Sequence, residues 1–409
     1  NSFTVGLVTS TPFFNQSDSF PTNYLIGSFD VNGNVVTGLP LGLTTPEAAF
    51  QDQGRETEQW SFRNDSSYSF NNHTFRFGGE SNLFDITAVS NFNQVPIYAI
   101  SNTANPNTPA LLATLFPGGI SGTDRGIANN LRYLLGGIVG GGTVQANFVN
   151  PTVGPVIGAT STKRFNTGRH GLYFTDQWRV NPNLTLNLGV RWDYFSPLEN
   201  PDVTYLEPDL EGARTIDELR TALLDPTGQL VLVGKNTGTP GRFANPDYNN
   251  FAPILGFAYS PNGKGFLGKL LGDSGVIRGG FRMSYVEDEI ILSFNNAGAA
   301  NEGLDFTVNS LDPNSGSPNL NARFNNLPGF VLPPFQNPPI SFATANANDP
   351  NFINTIFAVD PNYQNQQTME YTFGIQREIG FNTAIEVRYV GGRSNTLARG
   401  YDFNQVNIN

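Results

Sequence analysis

The 409-residue chain contains no cysteine and only two histidines, His73 and His170. Without cysteine there is no disulfide framework, no thiolate metal site and no cysteine nucleophile. The two histidines are far apart, each beside a turn or a strand start, so they read as solvated turn residues rather than as metal ligands. Charge is sparse and one-sided, with 14% charged residues and a formal net charge of -11. Phosphate-backbone binding needs clustered Lys and Arg, so nucleic acid is not an expected partner. Long apolar runs are missing too. A spanning helix needs roughly twenty consecutive apolar residues, and the nearest stretch, Leu131 to Val144, is broken by Arg132 and by Gly136, Gly137, Gly140, Gly141 and Gly142. Those glycines are not followed by Lys and Ser or Thr, which rules out a phosphate-binding P-loop. The chain opens at Asn1 with no methionine, charged n-region or apolar h-region, as a mature terminus or an internal fragment would.

What the sequence does have is strict alternation. Leu184, Leu186, Leu188, Val190, Trp192 and Tyr194 interleave with Thr185, Asn187, Gly189, Arg191 and Asp193, a period of two with one apolar and one polar face. The preceding segment sets Leu172, Phe174, Trp178 and Val180 against Tyr173, Thr175, Gln177 and Arg179, and only Asn181, Pro182 and Asn183 separate the two. The pair predicts a hairpin. Asp176 breaks the pattern by sharing the parity of Phe174 and Trp178, so it belongs at a membrane rim or beside a bulge.

The same signal predicts about nine strands, near Ser2 to Thr9, Thr57 to Phe70, Thr74 to Ala88, Gly171 to Val180, Leu184 to Ser196, Asn250 to Ser260, Val276 to Val286, Thr368 to Ile379 and Thr383 to Gly391. Several exceed the five or six residues usual in soluble sheets and are long enough to cross a bilayer at a tilt. The connections at 71–73, 181–183 and 380–382 are tight and 261–275 is moderate, whereas 10–56, 90–168, 197–249 and 287–367 are very long. Long and short alternate, as in an outer-membrane barrel with short periplasmic turns and long extracellular loops. Trp178 lies at the height of the short turn and Trp192 and Tyr194 at the far end, the two levels of an aromatic girdle. The predicted fold is therefore an all-β antiparallel transmembrane β-barrel occupying residues 1–409. Because the strand count is odd, an incomplete portion of a larger barrel is expected. A two-sheet soluble sandwich is the competing architecture.

The run from Gly171 to Pro197, GLYFTDQWRVNPNLTLNLGVRWDYFSP, resembles the barrel of TonB-dependent outer-membrane receptors, in particular the Oar-like branch. Asn250 to Pro261, Val276 to Tyr285, Tyr371 to Ile379, Glu386 to Ser394 and Tyr68 to Glu80 resemble the same branch, while the long loops carry no family text. The resemblance implies a 22-strand-type barrel filled by a plug domain and energised by the TonB complex through a TonB box. Neither plug nor box is seen in this sequence, nor are the regulatory-like sandwich domain, the last strands and the aromatic terminal residue of such receptors.

The function expected from these readings is uptake or recognition of a ligand (siderophore, glycan or peptide) at the outer membrane of a Gram-negative bacterium, without enzymatic activity or cofactor. Thr175, Gln177, Arg179, Asn187, Arg191 and Asp193 are the candidates to face the lumen or the plug. Trp178, Leu184, Leu186, Leu188, Val190, Trp192 and Tyr194 are the candidates to face lipid and form the girdle. A surface barrel that displays loops or assembles with envelope partners, and a secreted β-sandwich binding module or hydrolase, are the alternatives. The Phe- and Asn-rich loops, with Phe330, Phe335, Phe342, Phe352 and Phe357 in the last, suit ligand binding or packing on one another. A short helix is predicted over Ile216 to Leu224. Glu287, Asp288 and Glu289 read as a solvated loop base, and Asp312-Pro-Asn-Ser-Gly lacks the acidic spacing of a calcium loop.

Overall fold

The structure is a computed structural model describing residues 1–403 apart from 15–23, 30–34, 38, 44–51, 92–93, 101–110, 211, 234–241, 262, 264, 273, 288–303, 311–321, 328 and 348–355. Asp288, Glu289, Phe352 and the 312–316 stretch lie outside the described residues.

All nine predicted strands form, and they lie side by side in chain order in one antiparallel sheet: β1 (Ser2–Ser10), β2 (Gln53–Phe70), β3 (His73–Ser90), β4 (Ser161–Asn181), β5 (Leu184–Phe195), β6 (Phe251–Tyr259), β7 (Val276–Val286), β8 (Gln366–Gly380) and β9 (Thr383–Asn395). A short piece, Phe13–Phe14, extends the sheet beside β2. Among the described residues the path ends at β1 on one side and β9 on the other. The turns carry the chemistry that tight reversals need. Asn71 takes a left-handed backbone at φ 51° between β2 and β3, and the Asn181 side chain accepts from the Asn183 amide at 2.9 Å to close the β4–β5 turn. The β4–β5 register slips between Arg179 and Asn181.

Two expectations change. β4 starts at Ser161 and is 21 residues long, and β2 starts at Gln53, so the long connections are shorter than the alternation implied. The added residues, Ser161 to His170, are polar at both parities apart from Phe165 and Gly168, and without an apolar face they leave no period-two signal. They reach beyond the roughly ten residues a tilted strand needs to cross a membrane. The segment Leu131–Val144 is neither a span nor a loop: it is the end of helix α1 (Gly122–Leu135), a turn, and the start of a strand, Val139–Phe148.

The long connections fold with one another. Strands from the first, second and fourth (Val35–Thr37, Leu25–Phe29, Ile97–Ile100, Val139–Phe148 and Phe306–Asn309) make one sheet, with Pro155–Ile157 added beside Val139–Phe148. Strands from the third and fourth (Tyr205–Pro208, Gln229–Val233 and Ile340–Ser341) make another. Helix α2 (Ile216–Leu224) forms where predicted, with Thr215 accepting from the Glu218 amide and Glu218 reaching back to the Thr215 amide in a capping box. Among the described residues the other α-helices are α3 (Gly265–Leu271), in the β6–β7 connection, and α4 (Phe342–Ala347).

The buried core sits in this loop layer. One cluster gathers Leu198, Tyr205, Val233, Phe243 and Val359 against Phe165 from the upper part of β4; another joins Phe148, Leu206, Leu230, Leu304, Ile340 and Phe342. Of the loop phenylalanines, Phe342 is core and Phe330 and Phe335 pack against clusters, while Phe357 is exposed. Packing on one another is thus what most of these aromatics do.

Candidate functional site

Register sorts the predicted residues onto two faces, because directly opposed residues of an antiparallel pair point the same way. Across β4 and β5, Thr175 opposes Gly189, Gln177 opposes Asn187, Arg179 opposes Thr185, Tyr173 opposes Arg191 and Gly171 opposes Asp193. All six candidates for the polar face therefore share one side of the sheet. Trp178 opposes Leu186, Val190 opposes Phe174 and Trp192 opposes Leu172 on the other side, where Leu184, Leu188 and Tyr194 also fall by alternation.

On the polar face Arg191 is the hub. Its Nη2 lies 2.5 Å from Glu80 Oε1 on β3 and its Nε 2.7 Å from Asp193 Oδ1. In the same row as Arg191, the Tyr173 hydroxyl donates to Asp65 Oδ1 at 2.5 Å, and Arg63 Nε pairs with Asp65 Oδ2 at 2.6 Å. Glycines make room for this network: a Cβ on Gly171 would lie 2.4 Å from Arg191 Nη2, and one on Gly78 would lie 2.9 Å from Tyr173 Cε1. Thr175, Gln177, Arg179 and Asn187 lie nearer the short turns, outside it. Sequence reading missed Arg63, Asp65, Glu80 and Tyr173 as members. Their polar parity was visible, but the β3–β4 register that brings Glu80 to Arg191 crosses a long connection and leaves no local signal.

Toward the long-loop end this face meets the loop layer. Glu287, just past β7, pairs with Arg169 of β4 at 3.2 Å across the positions of β5 and β6, and the Arg169 guanidinium lies over the Phe84 ring at 5.4 Å. Glu287 is buried, contrary to the solvated reading, and burial pushes its carboxyl up to about 7 while Arg169 pulls it down. Tyr363 beside it is pushed up to about 12, first by burial and then by the Glu287 charge. Asn250, fully buried, donates to Asn365 Oδ1 at 3.1 Å, and its carbonyl accepts from the Asp193 amide at 3.0 Å. Lys163 ties three pieces of the layer together, reaching Asp305 at 2.8 Å and the Thr204 carbonyl at 3.1 Å over the Tyr205 ring.

The apolar face carries exposed Leu172, Phe174, Leu188 and Val190. Trp178 stacks on His73 at 5.2 Å near the short turns, and Trp192, Tyr194 and Tyr248 stack at the other end, with the Trp192 indole donating to the Tyr248 carbonyl at 2.9 Å. Neither histidine is a free turn residue: His73 Nδ1 lies 2.7 Å from Asp176 Oδ2, and His170, well inside β4, bonds Ser81 at 2.9 Å. Asp176 needs no bulge. The register runs unbroken through it on both sides, and a partner near the short-turn rim accounts for its parity. Among the described residues no cluster of three or more His, Cys, Asp or Glu could hold a metal.

The whole chain, residues 1–409, matches the family described as the outer membrane beta barrel domain. No curated protein matches it. Similar solved structures include the outer membrane transporter YddB from Escherichia coli, 13% identical over 95% of this chain and 31% of that one with a TM-score of 0.40. The Pseudomonas putida toluene transporter TodX is 11% identical over 95% of this chain and 64% of its own, with a TM-score of 0.21. The RagAB peptide importer is 12% identical over 96% and 38%, with a TM-score of 0.28. The chain spans less than two thirds of each of these proteins, and its assignment rests on the family match. With its antiparallel wall and alternating faces, the chain belongs to the outer-membrane β-barrel domain family, and its place is the Gram-negative outer membrane.

Proposed function

We propose that this domain is the wall and outer recognition surface of a TonB-dependent importer of the Oar-like branch, and that it performs no catalysis. The observation that carries the reading is the co-folded loop layer meeting the polar face of the sheet through Arg169, Glu287 and Asn250. In this reading Thr175, Gln177, Arg179, Asn187, Arg191 and Asp193 face the lumen and a plug domain, and the Arg191–Glu80–Asp193 network fixes that surface. Trp178, Leu184, Leu186, Leu188, Val190, Trp192 and Tyr194 face lipid and its two interfaces, as the exposure of Leu188 and Val190 favours. The loop layer is the ligand-facing side, and the ligand is a siderophore, a glycan or a peptide. The neighbours YddB, TodX and RagAB are described as transporters, which agrees with uptake.

A surface barrel that only displays its loops is the second reading, favoured by the buried clusters that join those loops to one another. The test is made in the native cell, by photocrosslinking the protein to TonB and comparing growth with and without its gene on single iron, glycan and peptide sources. A TonB crosslink and a growth defect on one source carry the uptake reading. Absence of the crosslink, unchanged growth and lost surface adhesion on deletion would replace it with the display reading.

A further inference from the structure

At the short-turn end the molecule exposes apolar side chains that the wall itself does not require. In α3, Phe266 is 80% exposed and Leu270 55%, with Leu267 beside them, while Leu271 and Gly268 pack inward. The next tight turn along the wall, between β8 and β9, is made by Phe381 and Asn382, both with left-handed backbone at φ 54° and 55°. Asn tolerates that region, whereas a bulky residue there is a conformational outlier. Phe381 nevertheless occupies it, fully exposed, with exposed Ile379 two residues before it. A strained aromatic offered entirely to the surroundings is a reason to look for what receives it.

Register shows where α3 sits. Phe373, Ile375 and Arg377 share a parity, and Ile375 opposes Ile277 on β7 and Val387 on β9, so this is the apolar side of the wall. Arg377 would carry a charge onto that side, but its Nη1 instead donates to the Leu270 carbonyl at 2.5 Å. That contact satisfies a carbonyl at the helix C-terminus, where a cation is favoured, and it fastens the end of α3 to the outer side of β8. The exposed residues of α3 therefore continue the apolar wall downward, with Lys269 among them on a stem long enough to hold its charge in water.

We propose that α3 and the β8–β9 turn form an apolar foot that rests in the headgroup–acyl boundary of the periplasmic leaflet. Phe266, Leu267, Leu270 and Phe381 are its buried contacts with lipid, and Arg377 and Lys269 mark its polar edge. The occupant is lipid rather than a protein because the patch is continuous with the membrane-facing wall and has the composition of an interfacial helix: aromatic and leucine residues with a basic one at the margin. This inference depends only on residence in the membrane and stands apart from the question of transport.

The absence of cysteine makes the test clean. Spin labels are placed singly at Phe266→Cys, Leu270→Cys and Phe381→Cys in the full protein, reconstituted in phosphatidylethanolamine–phosphatidylglycerol vesicles. Phe373→Cys on the apolar face and Asn72→Cys at the β2–β3 turn serve as lipid and water references. At all three foot positions, collision with oxygen relative to a water-soluble nickel complex should exceed that at Asn72 several-fold and approach that at Phe373. A ratio equal to that at Asn72 overturns the proposal, and so does protection from both reagents, which would mean a protein covers the patch. Phe381→Asn separates contact from folding: heat stability in detergent should hold or rise, because Asn suits the turn, while resistance to extraction from vesicles falls. A loss of stability in detergent equal to that in vesicles would show that Phe381 serves the fold alone.

Discussion

The wall and the loop layer use the same apolar residue types in opposite ways. In the wall, Leu172 is 59% exposed and Phe373 47%, whereas in the layer Tyr205 and Leu206 are at 0% and 1%. A sheet that meets lipid turns its greasy side chains outward and makes its backbone hydrogen bonds between strands, since no water is available to satisfy them. A layer that meets water must bury the same groups against each other. On the proposed reading two kinds of solvent act on one chain, and the change from buried to exposed apolar residues falls along β4, whose upper half supplies Phe165 to the buried core and whose lower half exposes Leu172 and Phe174.

The largest expected effect of a single substitution lies in the loop layer. Tyr205 is fully buried, 5.2 Å from the Phe165 ring and 5.7 Å from that of Phe243. Tyr205→Ala is expected to destabilise the layer by about 3–5 kcal/mol. Proteolysis in outer-membrane vesicles should open the long loops while heat-modifiability of the sheet persists. From the wall side, Leu188→Arg places a charge on the apolar face and is expected to disfavour insertion by about 2–4 kcal/mol. Urea titration of folding into vesicles should record that loss, and Asn187→Arg, one residue away on the opposite face, should show little of it.

The junction sharpens the contrast through pH. Burial holds the Glu287 carboxyl near 7, above its unfolded value, so its contribution to docking is present in acid and is lost as pH rises through about 7. Hydrogen-exchange protection at the loop-side end of β7, where Val286 pairs with Gln366, should fall about tenfold between about pH 6 and pH 8, and Glu287→Gln should flatten that dependence. The smallest expected effect is local. Thr215→Ala removes the cap of α2 and should fray it by about 1 kcal/mol, read as faster exchange at 216–219 with the sheet unchanged.

How much could be read in advance follows the same division. Leu184 to Tyr194 announced strand, hairpin and faces because period two is a local property, carried by each residue and its neighbour two positions on. Ser161 to His170 did not, because apart from Phe165 neither face of that segment is apolar and no alternation marks it. The loop strands, such as Ile97–Ile100 and Tyr205–Pro208, are buried on several sides and only four residues long, too short for a period to register. Of the six residues in the network only Arg191 and Asp193 were picked out by parity, while Glu80, Asp65 and Arg63 joined it through pairing of distant hairpins.

Alternating strands and the order of short and long connections are written along the chain and point to a membrane-spanning sheet over a soluble sandwich, because alternation rests on neighbours a few residues apart. The tertiary structure alone decided that four separate loops share two sheets, that Arg169 meets Glu287 across two strands, and that Arg377 holds α3 against the wall. The two side-chain contacts join residues more than a hundred positions apart, and they and the loop-strand pairs are selected by register and burial rather than by any pattern written along the chain.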